Sequence, residues 1–147
     1  MNHSITASWE EVRAALQKIW GYDDFRSPQG EIISCLLAQK DALIIMPTGG
    51  GKSICFQLPA LLKTGLTLVV SPLVALMENQ VAELRDRQQR AALLHSELPT
   101  YQRRATLQAL AKQELKLLYL SPEDDDEYVD LNEKLSSESF LSLVDIS

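Results

Sequence analysis

The chain has 147 residues, 46% of them apolar, and a formal net charge of −6. That length suits one domain and leaves little room for two of full size, and the apolar share excludes a wholly disordered chain. No apolar run approaches the ~18 residues of a membrane span, and residues 1–9 lack the basic stretch and apolar core of a secretory signal, so a cytoplasmic setting without a membrane partner is expected.

The elements follow in chain order. Ser8-Trp9-Glu10-Glu11 has the form of a capping box, in which a Ser hydroxyl accepts from the N3 amide. Trp9, Val12, Leu16 and Ile19 then recur at helical spacing, and Gly21 sits where a helix stops. Residues 22–27 are polar and turn-like. Pro28 suits the first position of a second helix, with Ile32, Ile33, Leu36 and Leu37 as its buried face. Residues 42–46 form a short Ile-rich run that reads as a buried strand. A helix is expected from Gly51 to about Leu62, disturbed near its end by Pro59.

The alternation continues with a strand over residues 66–70 and a helix from Leu73 to about Gln89. Leu73, Leu76, Met77, Val81 and Leu84 would be the buried side of that helix. A third strand over residues 91–94, a helix over 99–112 and a fourth strand over 115–120 complete the pattern. Strands alternating with helices argue for an α/β fold built on a parallel sheet. Cys35 and Cys55 sit in apolar segments without metal-ligand spacing and are expected to be buried, reduced thiols.

The charge is concentrated at one end. Residues 123–147 hold nine acidic side chains and one lysine, a balance of −8, whereas residues 1–122 sum to +2. The acidic character therefore belongs to a tail, and the mildly cationic body remains compatible with a polyanionic ligand. No dense Lys/Arg block is present, so charge alone argues for no strong grip on nucleic acid. Arg85, Arg87, Arg90, Arg103 and Arg104 are expected on solvated helix faces, and His3 and His95 have no visible partner cluster.

Met46-Pro47-Thr48-Gly49-Gly50-Gly51-Lys52-Ser53 lies between an expected strand and an expected helix. Three glycines let the backbone turn its N–H groups on phosphate oxygens, and the helix N-terminus adds its dipole. Lys52 would reach the β- and γ-phosphates, and Ser53 would ligate Mg²⁺. The strict pattern has Gly at its first position, where this chain has Met46. That departure resembles the loop of superfamily-two helicases.

The segment ahead of the loop sharpens the likeness. Trp20-Gly21-Tyr22-Asp23-Asp24-Phe25-Arg26-Ser27-Pro28-Gln29 resembles the adenine-recognition motif of RecQ-family DNA helicases. Residues 46–53 resemble that family's phosphate loop. Val70-Ser71-Pro72-Leu73, continuing through Leu76 and Met77 to Gln80, resembles its next segment, on the nucleic-acid side of the domain. Leu117-Leu118-Tyr119-Leu120-Ser121-Pro122-Glu123 resembles the one after that.

The resemblance implies a RecA-like P-loop domain with a central, mostly parallel sheet flanked by helices, here incomplete. Residues 1–123 would be the first helicase lobe and residues 124–147 a divergent acidic tail. It implies ATP with Mg²⁺ as cofactors, single-stranded or partly duplex DNA as partner, and ATP-driven 3′-to-5′ movement in repair and recombination.

Tyr22, Arg26 and Gln29 would bind the base, through two faces for stacking and one amide that donates and accepts at once. Thr48, Gly49, Gly50, Gly51, Lys52 and Ser53 would bind the phosphates, with Ser53 on the metal. Ser71, Pro72, Gln80 and Ser121 would face DNA. Plainer roles stay open: Tyr22 and Phe25 as core anchors of their loop, Arg26 and Gln29 as solvated or capping groups, Ser71 and Ser121 as Ser-Pro turns. No pattern points to a protein partner.

The family's Asp-Glu-Ala-His box does not occur in this sequence. If residues 141–147 were the equivalent strand, Asp145 would stand for the metal-binding acid and Ile146 for the catalytic Glu, and an alkyl group cannot orient water. The second lobe, with its transition-state arginine, is not found either. The expectation is thus a truncated lobe, unable to unwind DNA alone, with weak nucleotide binding and negligible hydrolysis. The rival readings are a non-catalytic module binding nucleotide or a partner, and an unrelated P-loop kinase or ATPase.

Overall fold

The first helix forms where its cap is. Ser8 Oγ accepts the Glu11 N–H at 3.2 Å, satisfying an amide that the helix leaves unpaired. The computed structural model describes residues 8–38 and 52–121 and the backbone of 141–145. The expected strand at 42–46, the loop residues Thr48, Gly49, Gly50 and Gly51, and the acidic run after Ser121 lie outside the described residues. The chain divides into two compact units, residues 1–64 and 65–147.

The first unit is helical. Helix α1 (Trp9–Ala15) continues into a five-residue π-helical turn, Leu16–Trp20. Gly21 ends it at φ 78°, in the left-handed region that glycine enters without strain, and its N–H donates to the carbonyls of both Leu16 and Gln17. Helix α2 (Gln29–Leu37) begins one residue beyond Pro28. Helix α3 (Lys52–Leu62) runs through Pro59, which does not end it.

Val12, Leu16, Ile33, Ile54 and Leu58 form the core of this unit, with Ala15, Trp20, Phe25, Leu37 and Leu62 packed against it. Burial of each large aliphatic there is worth about 1.5–3 kcal/mol over its exposed state. On α2 the burial is narrower than expected: Ile33 is fully buried, while Ile32, Leu36 and Leu37 are half-buried.

The second unit is a parallel sheet with order β2-β3-β1-β4, built from β1 (Leu66–Val70), β2 (Ala91–Leu94), β3 (Leu117–Leu120) and β4 (Leu141–Asp145). Helix α4 (Val74–Asp86) joins β1 to β2, and α5 (Thr100–Ala111) joins β2 to β3. The first crossover moves one way across the sheet and the second returns, so right-handed connections put the two helices on opposite faces. The packing agrees. Leu68, Ala92, Leu94, Leu118 and Leu120 form one core cluster with Leu107 and Leu110 of α5, while Tyr119, one residue out of phase, bonds to Gln80 of α4. Apart from Thr67, strands β1, β2 and β3 are built of apolar and aromatic residues, as sheets covered on both faces favour.

Two expectations about burial are corrected. Leu73 and Leu76 are exposed, because the residue before α4 and its first turn lie clear of the core that holds Met77, Val81 and Leu84. Cys35 is exposed on α2 while Cys55 is buried, and both are free thiols. Cys35 lies two residues after the buried Ile33, about 200° around the helix, and so faces water.

Candidate functional site

Residues 22–29 form a loop closed on itself where α2 begins. The Gln29 N–H donates to the Arg26 carbonyl at 2.7 Å. The Arg26 N–H in turn donates to Gln29 Oε1 at 2.9 Å. A backbone donor can only meet the oxygen of an amide, so this second bond sets which way the Gln29 side chain faces. Gln29 as a whole is 6% exposed. One lone pair of Oε1 is engaged by Arg26.

Tyr22 is 49% exposed, and Arg26 is exposed as well. Phe25, by contrast, is half-buried and packs on the helical core. The loop is thus anchored by one aromatic and presents the other.

Lys52 and Ser53 open α3, the first exposed and the second half-buried. The first amides of a helix have no intrahelical acceptor and carry partial positive charge. A cation, a hydroxyl and these amides are a donor set that fits a phosphate chain. The hydroxyl fits a hard cation that takes its other ligands from phosphates and water. Among the described residues no group of three His, Cys, Asp or Glu is placed to hold a metal by itself.

The carboxyl edge of the sheet gathers the other candidates. Ser71 follows β1, and its N–H donates to the Leu120 carbonyl at 3.1 Å. Its hydroxyl accepts from the Leu73 N–H at 3.1 Å, a tight turn into α4, and the residue is buried. Ser121 follows β3, bonded through its N–H to the Leu94 carbonyl, and is buried too. Pro72 is exposed. Gln80 is half-buried on α4, where its Oε1 accepts from the fully buried Tyr119 hydroxyl at 2.8 Å. In the register of β4 with β1, Asp145 pairs with Val70, the residue before Ser71.

The model of the DEAD/DEAH box helicase family matches residues 26–144. The chain belongs to that family. Within it the likeness is to RecQ proteins. The ATP-dependent DNA helicase RecQ of Synechocystis sp. is 63% identical over 117 residues, 80% of this chain and 24% of that protein. RecQ of Haemophilus influenzae is 40% identical over 134 residues, 91% of this chain and 20% of that protein. The probable ATP-dependent DNA helicase RecS of Bacillus subtilis is 42% identical over 114 residues, 77% and 23% respectively. The chain spans about a quarter or less of the length of these curated relatives.

In this member of the DEAD/DEAH box family, the two ends of β2 hold groups that sequence reasoning passed over. His95, just beyond β2, is buried; its Nδ1 accepts the Glu97 N–H at 3.2 Å, and Glu78 Oε1 lies 3.9 Å from its Nε2. Arg103 donates to the His95 carbonyl at 2.7 Å, and Arg85 Nε donates to the Ala91 carbonyl at 2.9 Å. Arg85 and Arg103 therefore tie helices to β2 and its end instead of merely facing solvent. A helical wheel shows which face an arginine is on but not which carbonyl lies within its reach. No helix among the described residues is long and apolar enough to cross a membrane.

Proposed function

We propose that this chain carries the ATP-binding part of the first motor lobe of a RecQ-type DNA helicase. The observation that carries the reading is the Arg26–Gln29 turn. Buried Gln29, its side-chain amide oriented by a backbone N–H, opens helix α2. Helix α2 shares its core with α3 through Ile33, Ile54 and Leu58, and α3 begins at Lys52 and Ser53. Base reader and phosphate binder thus belong to one packed unit.

In this reading Gln29 pairs with the adenine edge while Tyr22 and Arg26 lie against its faces. Thr48 and Gly49–Gly51 wrap the phosphates, Lys52 offsets their charge, and Ser53 supplies a hydroxyl to Mg²⁺. Bound Mg²⁺ would neutralise charge on the phosphates. Pro72, Gln80 and the backbone around Ser71 and Ser121 face DNA at the carboxyl edge of the sheet, where open α/β sheets take ligands. The reading extends to 3′-to-5′ movement on DNA in repair and recombination, in the cytoplasm.

The 147-residue polypeptide should bind Mg·ATP and hydrolyse it negligibly. Its sequence has Ile146 directly after Asp145 and contains no Asp-Glu-Ala-His. Titration calorimetry with Mg·ATP and Mg·GTP tests the reading. ATP should bind more tightly, Gln29→Ala should remove the preference, and Lys52→Ala should weaken both by roughly 10- to 100-fold, the loss of a charge-assisted contact. Equal affinity for the two nucleotides, or DNA-stimulated turnover, would contradict it.

A further inference from the structure

The loop that carries Tyr22, Arg26 and Gln29 is held from outside by the helix that precedes it. Three contacts run from α1 and its π-helical turn to this loop and the helix beyond it. The Trp9 ring packs on Phe25 with centroids 5.3 Å apart and planes tilted by 50°. The same ring covers Gly30, the residue after Gln29. A Cβ there would sit 3.3 Å from Trp9 Cη2 and 3.4 Å from Cζ2, tighter than ordinary van der Waals contact. Further along, Gln17 Nε2 donates to the Asp23 carbonyl at 3.2 Å. A fourth, weaker contact sets Arg13 Nε 3.7 Å from Asp24 Oδ1 across an exposed gap.

These contacts sit on both sides of the reading groups. Gln17 and Arg13 hold the loop ahead of Phe25, and Trp9 holds Phe25 and Gly30. Tyr22 lies just before Asp23, while Arg26 and Gln29 lie between Phe25 and Gly30. The π-helical turn ends on Gly21, whose N–H spans two carbonyls, so the exit direction into Tyr22 is fixed as well. The DEAD/DEAH box family model matches only from residue 26, so Trp9 and Gln17 lie outside the residues that model matches.

We propose that Trp9, seated on Gly30 and Phe25, and Gln17, bonded to the Asp23 carbonyl, are positioning residues that make the 22–29 loop selective for its base. Neither touches the nucleotide. Each removes freedom that binding would otherwise have to remove from the loop, and the benefit goes to recognition of the base and not to the phosphates. The inference rests on the base-reading role given to Gln29.

The test uses the full 147-residue chain and three probes, Mg·ATP, Mg·GTP and Mg·tripolyphosphate, the last having no base. Trp9→Ala, Gly30→Ala and Gln17→Ala are compared with the parent chain. Trp9→Ala should lower ATP affinity by about fivefold, the size expected when binding must immobilise one or two further side chains. It should bring the ATP:GTP ratio toward one and leave tripolyphosphate affinity unchanged. Gly30→Ala should act in the same direction by pushing the Trp9 ring aside. Adding Trp9→Phe to Gly30→Ala should restore part of the preference, because the smaller ring leaves room for the methyl group.

Gln17 is exposed, so Gln17→Ala keeps the core intact and reports even where Trp9→Ala does not fold. A general loss of structure would lower all three affinities together, and that result would overturn the proposal. So would an unchanged ATP:GTP ratio in Gly30→Ala and Gln17→Ala when Gln29→Ala abolishes it. A parent chain with no preference, or one that keeps its preference in Gln29→Ala, removes the base-reading role itself and this inference with it.

Discussion

The loop over residues 22–29 and the carboxyl edge of the sheet are both candidate binding surfaces, and they are held in different ways. At the edge the backbone does most of the holding. Ser71 and Ser121 extend the strand ladder through their own N–H groups to the Leu120 and Leu94 carbonyls, so their positions depend little on their side chains. The loop has no ladder. It is held by the Gln29 amide on Arg26, the Gln17 amide on the Asp23 carbonyl, and the Trp9 ring on Phe25 and Gly30. A surface hung on the backbone keeps its shape until the sheet fails, whereas one hung on side chains is lost one substitution at a time.

The hardest way to break the contrast is to remove the ladder's support. Leu118 is fully buried in the middle of β3, between β2 and β1. Leu118→Ala should cost about 2–5 kcal/mol, the transfer of the lost side chain plus the cavity it leaves. Urea unfolding would measure it. A cost under 1 kcal/mol would mean that the sheet edge does not depend on its core as described.

A smaller change sharpens the contrast, because Gln80 is the candidate on the second unit that is held by a side chain. Tyr119 is fully buried and its hydroxyl donates to Gln80 Oε1. Tyr119→Phe keeps the ring and removes the bond, at a cost of about 1 kcal/mol in unfolding free energy. On the helical unit the matching change is Ser8→Ala, which leaves the Glu11 amide without its cap and should cost about 0.5–1 kcal/mol. Both are read from shifts in the denaturation midpoint, and Ser8→Ala should leave the ATP:GTP ratio intact if the cap acts on stability alone.

The contrast also explains what could be read from the chain beforehand. Strands β1, β2 and β3 are short runs bounded by turn signals, and the pattern places each within two residues of where it lies. Backbone-held structure follows local pattern, so its positions are visible in one dimension. The run over residues 141–145 offered the same kind of signal and is a strand, though its place beside β1 depends on pairing that no local pattern encodes. Side-chain ties are tertiary events. Nothing in the spacing of Trp9, Gly30 and Phe25 shows that an indole covers a glycine. Helical periodicity does not mark where the core ends, so it does not show the exposure of Leu73 and Leu76. Resemblance points to Gln29, whereas its orientation by the Arg26 N–H is a property of the folded loop.

The smallest expected effect is a pH dependence in the helical unit. Burial pushes the Cys55 thiol above its ordinary value, whereas an unfolded chain ionises it near the usual value of about 8.5. Above that pH the folded state holds a proton that the unfolded state has released, so Cys55 makes stability fall as pH rises. Lys63, in the same unit, is lowered by burial; there the unfolded state holds the extra proton up to about 10.4, and stability rises with pH. Lys116 on the second unit, lowered by burial and by the nearby Arg90 charge, has the same sign as Lys63. The helical unit therefore has opposed slopes in alkali, and Lys116 adds a rising one on the sheet unit. Urea midpoints at pH 7 and pH 9.5 for the parent chain and Cys55→Ala isolate the falling slope, because the small packing loss in the variant is the same at both pH values and cancels. The parent should lose stability relative to the variant on going to pH 9.5. An unchanged difference would mean that Cys55 is reached by water in the folded state, and the packing of α3 would have to be redrawn around it.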